Sequence, residues 1–206
     1  MEQILANFPG LSDRQIDIFS RMKPVFLDWN ARINLISRKD EDAFYTHHVL
    51  HSLAIAKMIQ FPDDAEIIDI GAGGGFPAMP LAVMFPNARF TLLDSIRKKM
   101  TAAESIATEL GINNLAFVNE RAEKHKGDYH YIIARAVAAF PRFFAQTRHL
   151  LKTHPEMSGQ GIYYLKGGEL SKELKGFQNI RQAEIQHWFD HPFFETKKIV
   201  YMPYAK

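Results

Sequence analysis

Residues Ile67 to Pro77, Ile-Ile-Asp-Ile-Gly-Ala-Gly-Gly-Gly-Phe-Pro, constrain the fold more than any other stretch of this chain. A short apolar run that ends in glycine reads as a buried strand feeding a turn. Gly71, Gly73, Gly74 and Gly75 let the backbone turn sharply and let a ligand press against main-chain N–H groups. The stretch predicts the mouth of a nucleotide-type cofactor site at the end of a strand.

The acid ahead of the glycines narrows the cofactor. A dinucleotide fingerprint needs G-x-G-x-x-G with amides and a helix dipole facing pyrophosphate, whereas here Asp69-x-Gly71-x-Gly73-x-Gly75 stands in its place. An acid at Asp69 repels pyrophosphate and suits a cofactor with an ammonium group, such as the methionine part of S-adenosyl-L-methionine. A second apolar run, Phe90 to Leu93, ends in Asp94, where the ribose hydroxyls of an adenosine are held in such folds. The bland alternative is a glycine turn beside a solvated acid.

From Glu66 onward strand and helix patterns alternate, with strands predicted at 66–70, 90–93, 115–118, 130–134 and 162–166. Alternation at this interval means a mostly parallel sheet flanked by helices. Two tail strands, Glu184 to Phe189 and Thr196 to Tyr201, are separated by Asp190-His191-Pro192, which suits an antiparallel hairpin at the sheet edge. Ahead of the sheet, Ser12 and Gln15 have capping-box spacing, and Ile16, Phe19, Met22, Phe26 and Trp29 follow at helical intervals, with a kink expected at Pro24. A second helix is predicted from Asp40 to Ile59. The whole reads as a single domain, 1–206, with an N-terminal helical layer over 1–60 and an α/β cofactor-binding core over 61–206.

Composition excludes several chemistries. The chain has no cysteine among its 206 residues, so disulfides, thiolate zinc sites and cysteine nucleophiles are out. No basic-then-apolar leader and no apolar run near 18 residues is present, which predicts a cytoplasmic protein with no membrane association. A net charge of +2 permits a nucleic-acid partner without requiring one; Arg97-Lys98-Lys99 is a candidate basic face. His47, His48 and His51 lie at helical spacings but lack the acids or cysteines of a ligand set, so no metal is expected. The Phe143-Phe144 and Phe193-Phe194 pairs read as packing.

Three further places lie at the carboxyl edge of the sheet, where open α/β folds bind ligands. Backbone groups of Ala122 and Glu123, in the loop after strand three, are placed to read an adenine edge, or form an ordinary polar loop. Arg135 closes strand four, where a charge needs a partner: an anionic ligand, or a structural pair with Asp69 or Glu123. Lys166-Gly167-Gly168 ends strand five, where two glycines let a phosphate approach the backbone. Arg135 and Lys166 are the candidates for the catalytic edge, and Gly71, Gly73 and Asp94 for cofactor binding.

With these pieces in order, the chain resembles the bacterial 16S rRNA guanine-N7 methyltransferases of the RsmG family, also called GidB. The resemblance rests on Asn34-Leu35, His48-x-Leu50-x-Ser52-Leu53, the Asp69 to Pro80 loop, Leu92-Leu93-Asp94-Ser95, Ala134-Arg135-Ala136-Val137 and Leu165-Lys166-Gly167. It implies a class I methyltransferase fold, S-adenosyl-L-methionine as cofactor, and a guanine in the decoding-region loop of 16S rRNA as target, met in the small ribosomal subunit or an assembly intermediate. Carried over by position, the cofactor contacts fall on Gly71, Phe76, Ala122, Glu123 and Arg135. The chain departs from the family pattern at Ile36, His51 and Ala78, outside those contacts.

The residues bear on the target too. The Asp/Asn-Pro-Pro-aromatic tetrapeptide used on exocyclic amines is absent, and so is the cysteine used on pyrimidine C5. Guanine N7 needs neither, since its lone pair carries no proton. A methyltransferase acting on a small molecule or protein, a non-catalytic RNA-binding module and an NAD(P)-dependent oxidoreductase are the rival readings.

Overall fold

The reciprocal bonds expected at Ser12 open the first long helix. The Ser12 hydroxyl accepts from the Gln15 N–H, and the Gln15 side-chain oxygen accepts from the Ser12 N–H at 2.9 Å. In the computed structural model, which describes residues 1–155 and 157–204, a short helix α1 (Glu2–Asn7) precedes α2 (Asp13–Arg32). Ile18, Phe19, Met22 and Phe26 form the buried stripe of α2, while Pro24 lies on its exposed side and the helix continues through it as one element.

The second helix begins later than its sequence suggests. Regular structure starts with a π-helical turn at Tyr45–Leu50 and continues as α3 (His51–Met58). The preceding residues are drawn into tertiary bonds instead. Asp40 accepts from the His47 ring at 2.9 Å, and Glu41 accepts from the Asn30 side chain at 2.7 Å. A π turn is uncommon and tends to mark functional positions; here it carries His47 and His48, and His51 follows directly at the start of α3.

The sheet contains β1 (Glu66–Ile70), β2 (Arg89–Leu93), β3 (Leu115–Val118), β4 (Tyr131–Arg135), β5 (Gly161–Gly167), β6 (Arg181–Glu184) and β7 (Lys197–Pro203), in the order β3-β2-β1-β4-β5-β7-β6. The first five are parallel, and β7 runs antiparallel to both β5 and β6. Helices α4 (Ala78–Met84), α5 (Arg97–Leu110), α6 (Phe140–Thr147) and α7 (Ser171–Leu174) make the connections. Strand order reverses between β1 and β4, and such a switch point leaves a crevice at the strands' carboxyl ends. Among the described residues no helix is long and apolar enough to cross a membrane.

The antiparallel edge forms as expected, with its second strand, β7, on the predicted stretch and its first strand displaced. The first tail strand is Arg181–Glu184, not Glu184–Phe189, and twelve residues with two 3-10 turns, rather than a tight hairpin, lead to β7. Ile185, Phe189 and Phe194 are buried in that connection. Their apolar spacing serves core filling by a folded loop, which alternation alone does not distinguish from a strand.

Alternation along the strands decides which residues meet the N-terminal layer. Ile67, Tyr131 and Ile133 pack in the cluster that also holds Phe19, Phe26, Phe44 and Leu53. Ile68, Ile70, Ile132 and Ala134 pack on the other face with Phe140, Phe143 and Tyr164. By the same period of two, Asp69 and Arg135 are directed toward the N-terminal layer.

That layer rests directly on the glycine loop. A Cβ at Gly74 would come within 2.9 Å of the Phe26 ring and 3.0 Å of Leu35 Cβ. Gly74→Ala is therefore expected to destabilise by about 1–3 kcal/mol through overpacking, lowering Tm by several degrees. Thermal unfolding checks this, and an unchanged Tm would show that the layer yields freely.

A candidate cofactor cavity and its neighbour

Asp94 organises the glycine loop. Its Oδ2 accepts from the Gly73 N–H at 3.0 Å and its Oδ1 from the Ile96 N–H at 2.8 Å. The Gly71 N–H donates to the Leu93 carbonyl at 2.8 Å, so the loop is stitched to the end of β2. Gly71, Gly73 and Gly75 have φ of 69°, 56° and 99°, left-handed values that side chains avoid. At Gly71 an added Cβ would also lie 2.8 Å from Val137.

Above the β1/β4 switch point opens a cavity of about 310 Å³. Five of the residues read from the sequence line it: Gly71, Asp94, Ala122, Glu123 and Arg135. Gly73 and Phe76 serve it from behind. Gly73 holds Asp94, and the Phe76 ring, 4% exposed, lies 5.1 Å beneath the Arg135 guanidinium. Arg142 and Gln146 complete the wall from α6. Sequence reading passed over them, although their i, i+4 spacing on the helix after β4 was a usable signal.

Asp69 does not occupy the position its place in the motif suggested. It is 0% exposed, its Oδ2 accepts from the Ala78 N–H at 2.9 Å, and its Oδ1 has no hydrogen-bond partner among the described residues. The carboxylate braces the first turn of α4 and does not line the cavity. Burial pushes its pKa up to about 7, against the Ala78 bond and the Arg135 charge, which pull it down.

Arg135 is held differently from either pairing considered for it. Its guanidinium donates to the His47 carbonyl at 3.2 Å and to His48 Nδ1 at 3.1 Å, with neither Asp69 nor Glu123 in direct contact among its hydrogen bonds and ion pairs. Burial lowers its pKa to about 10 while Asp69 and Asp40 raise it, so it stays charged at neutral pH. Burial and then the Arg135 charge lower His48 to about 3, which keeps the imidazole neutral and able to accept.

On the far side of Ala136–Ala138 lies a second cavity of about 320 Å³, lined by His51, Arg135, Lys166, Gly167 and Lys197 among others. Arg135, Ala136 and Val137 belong to both cavities. Ala136 has φ of 51°, a left-handed value at a non-glycine residue that is held at functional edges at some strain. Lys166 is less available than its sequence position implied. Its ammonium donates to the Ala138 carbonyl at 3.0 Å and pairs with Glu173 at 2.8 Å.

The remaining candidates are placed as follows. Arg97 and Lys98 are exposed and Lys99 half-buried at the start of α5, just beyond Asp94. His47 stacks on Phe193 with ring centroids 3.9 Å apart. Among the described residues no group of three or more His, Cys, Asp and Glu is arranged to hold a metal ion.

Comparison with known proteins agrees with this geometry. Residues 15–199 match the family model GidB, described as rRNA small subunit methyltransferase G. The chain is 45% identical over 204 residues to the ribosomal RNA small subunit methyltransferase G of Flavobacterium psychrophilum, covering 98% of each chain. It is 43% identical over 204 residues to the protein of that name from Flavobacterium johnsoniae, again covering 98% of each. Among solved structures, a SAM-dependent methyltransferase from Aquifex aeolicus aligns with a TM-score of 0.54 at 14% identity, over 73% of this chain and 87% of that one; at that identity the likeness speaks to the fold. The sheet is that of the class I methyltransferases, and the chain belongs to the GidB family, the rRNA small subunit methyltransferases G.

Proposed function

We propose that this protein transfers the methyl group of S-adenosyl-L-methionine to N7 of a guanine in the decoding-region loop of 16S rRNA, in the small ribosomal subunit or an assembly intermediate, in the cytoplasm. The observation that carries the reading is the convergence of Gly71, Asp94, Ala122, Glu123 and Arg135 on one cavity at the switch point of a class I sheet. The names of its relatives, methyltransferases of small-subunit ribosomal RNA, support the substrate class.

The donor set fits the cofactor. Asp94 offers acceptors to a ribose diol, the backbone at Ala122 and Glu123 faces the position of an adenine edge, and Arg135 offers a cation to the amino-acid carboxylate. Gly73 leaves room for close approach, since a Cβ there would meet nothing nearer than 3.9 Å. The bound sulfonium would supply an electrophilic methyl group. The chain's own part is to orient the acceptor in line with that methyl and to exclude water. Arg135, the wall common to both cavities, is the residue best placed to fix the two against each other; Lys166 holds the Ala138 carbonyl and with it the partition between them.

Two substitutions test the cofactor site. Asp94→Ala and Gly71→Val are each expected to weaken S-adenosyl-L-methionine binding by about tenfold or more, the loss of a charge-assisted hydrogen bond or of the turn that admits the ligand. Calorimetry reads the affinity and circular dichroism the retained fold; wild-type affinity in both variants would refute the assignment. Methyl transfer to purified subunits, naked rRNA and metabolites, with the product identified by mass, separates the proposed substrate from the rivals.

The pH profile tests the chemistry. Guanine N7 has no proton to lose, and His48 and His51 are both held neutral by burial. Asp69, by contrast, ionises near 7 behind the site. Single-turnover transfer by Asp69→Asn is therefore expected to be level across about pH 6–9, with the wild type differing by at most one step centred near 7. A bell-shaped profile that survives Asp69→Asn and disappears on substituting His48 or His51 would make proton transfer obligatory and the N7 reading wrong.

A further inference from the structure

Residues 136–138 separate the two cavities without belonging to any helix or strand. A segment of this kind has no ladder to take its backbone groups, which must find other partners where they leave water. Ala136 turns the chain at a left-handed φ of 51°. Val137, 44% exposed, then walls both cavities, and its methyl carbons stand over Gly71, where an added Cβ would meet the nearer at 2.8 Å.

One side chain takes three backbone groups of this segment. The Tyr164 hydroxyl accepts from the Val137 N–H and from the Ala138 N–H, each at 2.8 Å, and donates to the Ala138 carbonyl at 2.8 Å. A phenol hydroxyl has two lone pairs and one proton, so all of its hydrogen-bonding capacity goes to the segment. Burial raises the phenol's pKa, which keeps the proton in place at neutral pH. The ring itself is fixed. It is fully buried in β5, with the Phe143 ring at a centroid distance of 4.4 Å and the Lys166 ammonium 4.9 Å from its centre. Lys166 adds a second bond to the Ala138 carbonyl at 3.0 Å, while the two N–H groups are held by Tyr164.

We propose that Tyr164 is a positioning residue for methyl transfer: its hydroxyl fixes the wall between the cavities, and so the distance and angle at which donor and acceptor meet. This rests on the reading above that the cofactor occupies the first cavity and reaches its acceptor at this wall. Transfer needs the reacting atoms within about 3–3.5 Å and in line, and a misplacement of about 1 Å costs on the order of 100-fold in rate. Without the hydroxyl, two N–H groups lose their partner and Val137 is free to shift. Asp94, Ala122 and Glu123, which follow β2 and β3, keep their places on the cofactor cavity. Loss of the hydroxyl therefore acts on the rate and spares cofactor affinity.

The test is single-turnover methylation of purified small ribosomal subunits by the full-length protein, at saturating cofactor and subunit and well below the Tm of each variant. It is scored as methyl groups transferred, whichever atom receives them. Tyr164→Phe, which removes only the hydroxyl, is expected to lower the rate constant by about 10- to 100-fold. It should change S-adenosyl-L-methionine affinity, read by calorimetry, by less than about threefold, the split expected of an interaction that serves the transition state. Tyr163→Phe is the control. Tyr163 is the next residue of the same strand, and its hydroxyl donates to the Gly159 carbonyl at 2.8 Å, where neither residue lines either cavity. That variant should lower Tm through one lost hydrogen bond and leave the rate within about twofold. A wild-type rate in Tyr164→Phe overturns the inference. So does an equal loss of rate in Tyr163→Phe, or a loss of cofactor affinity that matches the loss of rate, since either would make the role one of stability alone. In the wild type the Val137 and Ala138 amides should exchange hydrogen slowly; free exchange overturns the inference even if Tyr164→Phe fails to fold. Transfer of no methyl group by the wild type overturns the underlying reading as well.

Discussion

A guanidinium at the end of a central strand cannot be left to itself, and the placing of Arg135 is the constraint on which the site depends. Strand alternation directs it to the face covered by the N-terminal layer, where it is half-buried. A charge taken out of water there needs directed partners. They come from the π turn: the His47 carbonyl and His48 Nδ1, with the Phe76 ring beneath. The N-terminal helices are thus more than a cover. They fix the one side chain that walls both cavities, while Gly74 keeps their closest approach to the glycine loop open.

Asp69 acts in the same network without touching the ligand cavity. It braces α4 through the Ala78 N–H and contributes its field to Arg135. Arg135 in turn limits how far burial can raise the Asp69 pKa, which settles near 7. The acid of the glycine motif therefore tunes the charge at the cavity wall, and Asp94, at the end of the next strand, lines the cavity itself.

Much of this was legible in the chain. The parallel strands were readable because strands buried on both faces are continuous apolar runs cut off by glycine or acid; β1 begins and ends at the residues expected, and β4 is displaced by one. Gly71, Asp94, Ala122, Glu123 and Arg135 share a cavity because each sits at a strand's carboxyl end, which a sequence reveals. Direction was harder. Asp69 faces inward, and Lys166 is already engaged by Glu173, a residue of α7 that no local pattern connects to it. The late start of the second helix and the displaced β6 have one cause: polar side chains at Asn30, Asp40 and Glu41, and buried rings at Phe189 and Phe194, form tertiary contacts that override local periodicity.

The central claim is that this constellation modifies one guanine of the small-subunit ribosomal RNA at N7. Mass mapping of that RNA from cells with and without the protein tests it most directly. The expected result is the loss of a single 7-methylguanosine in the decoding-region loop, restored by the wild-type chain and not by Asp94→Ala. An unchanged modification map in cells lacking the protein, or loss of a methyl group at another atom or in another RNA, would contradict it.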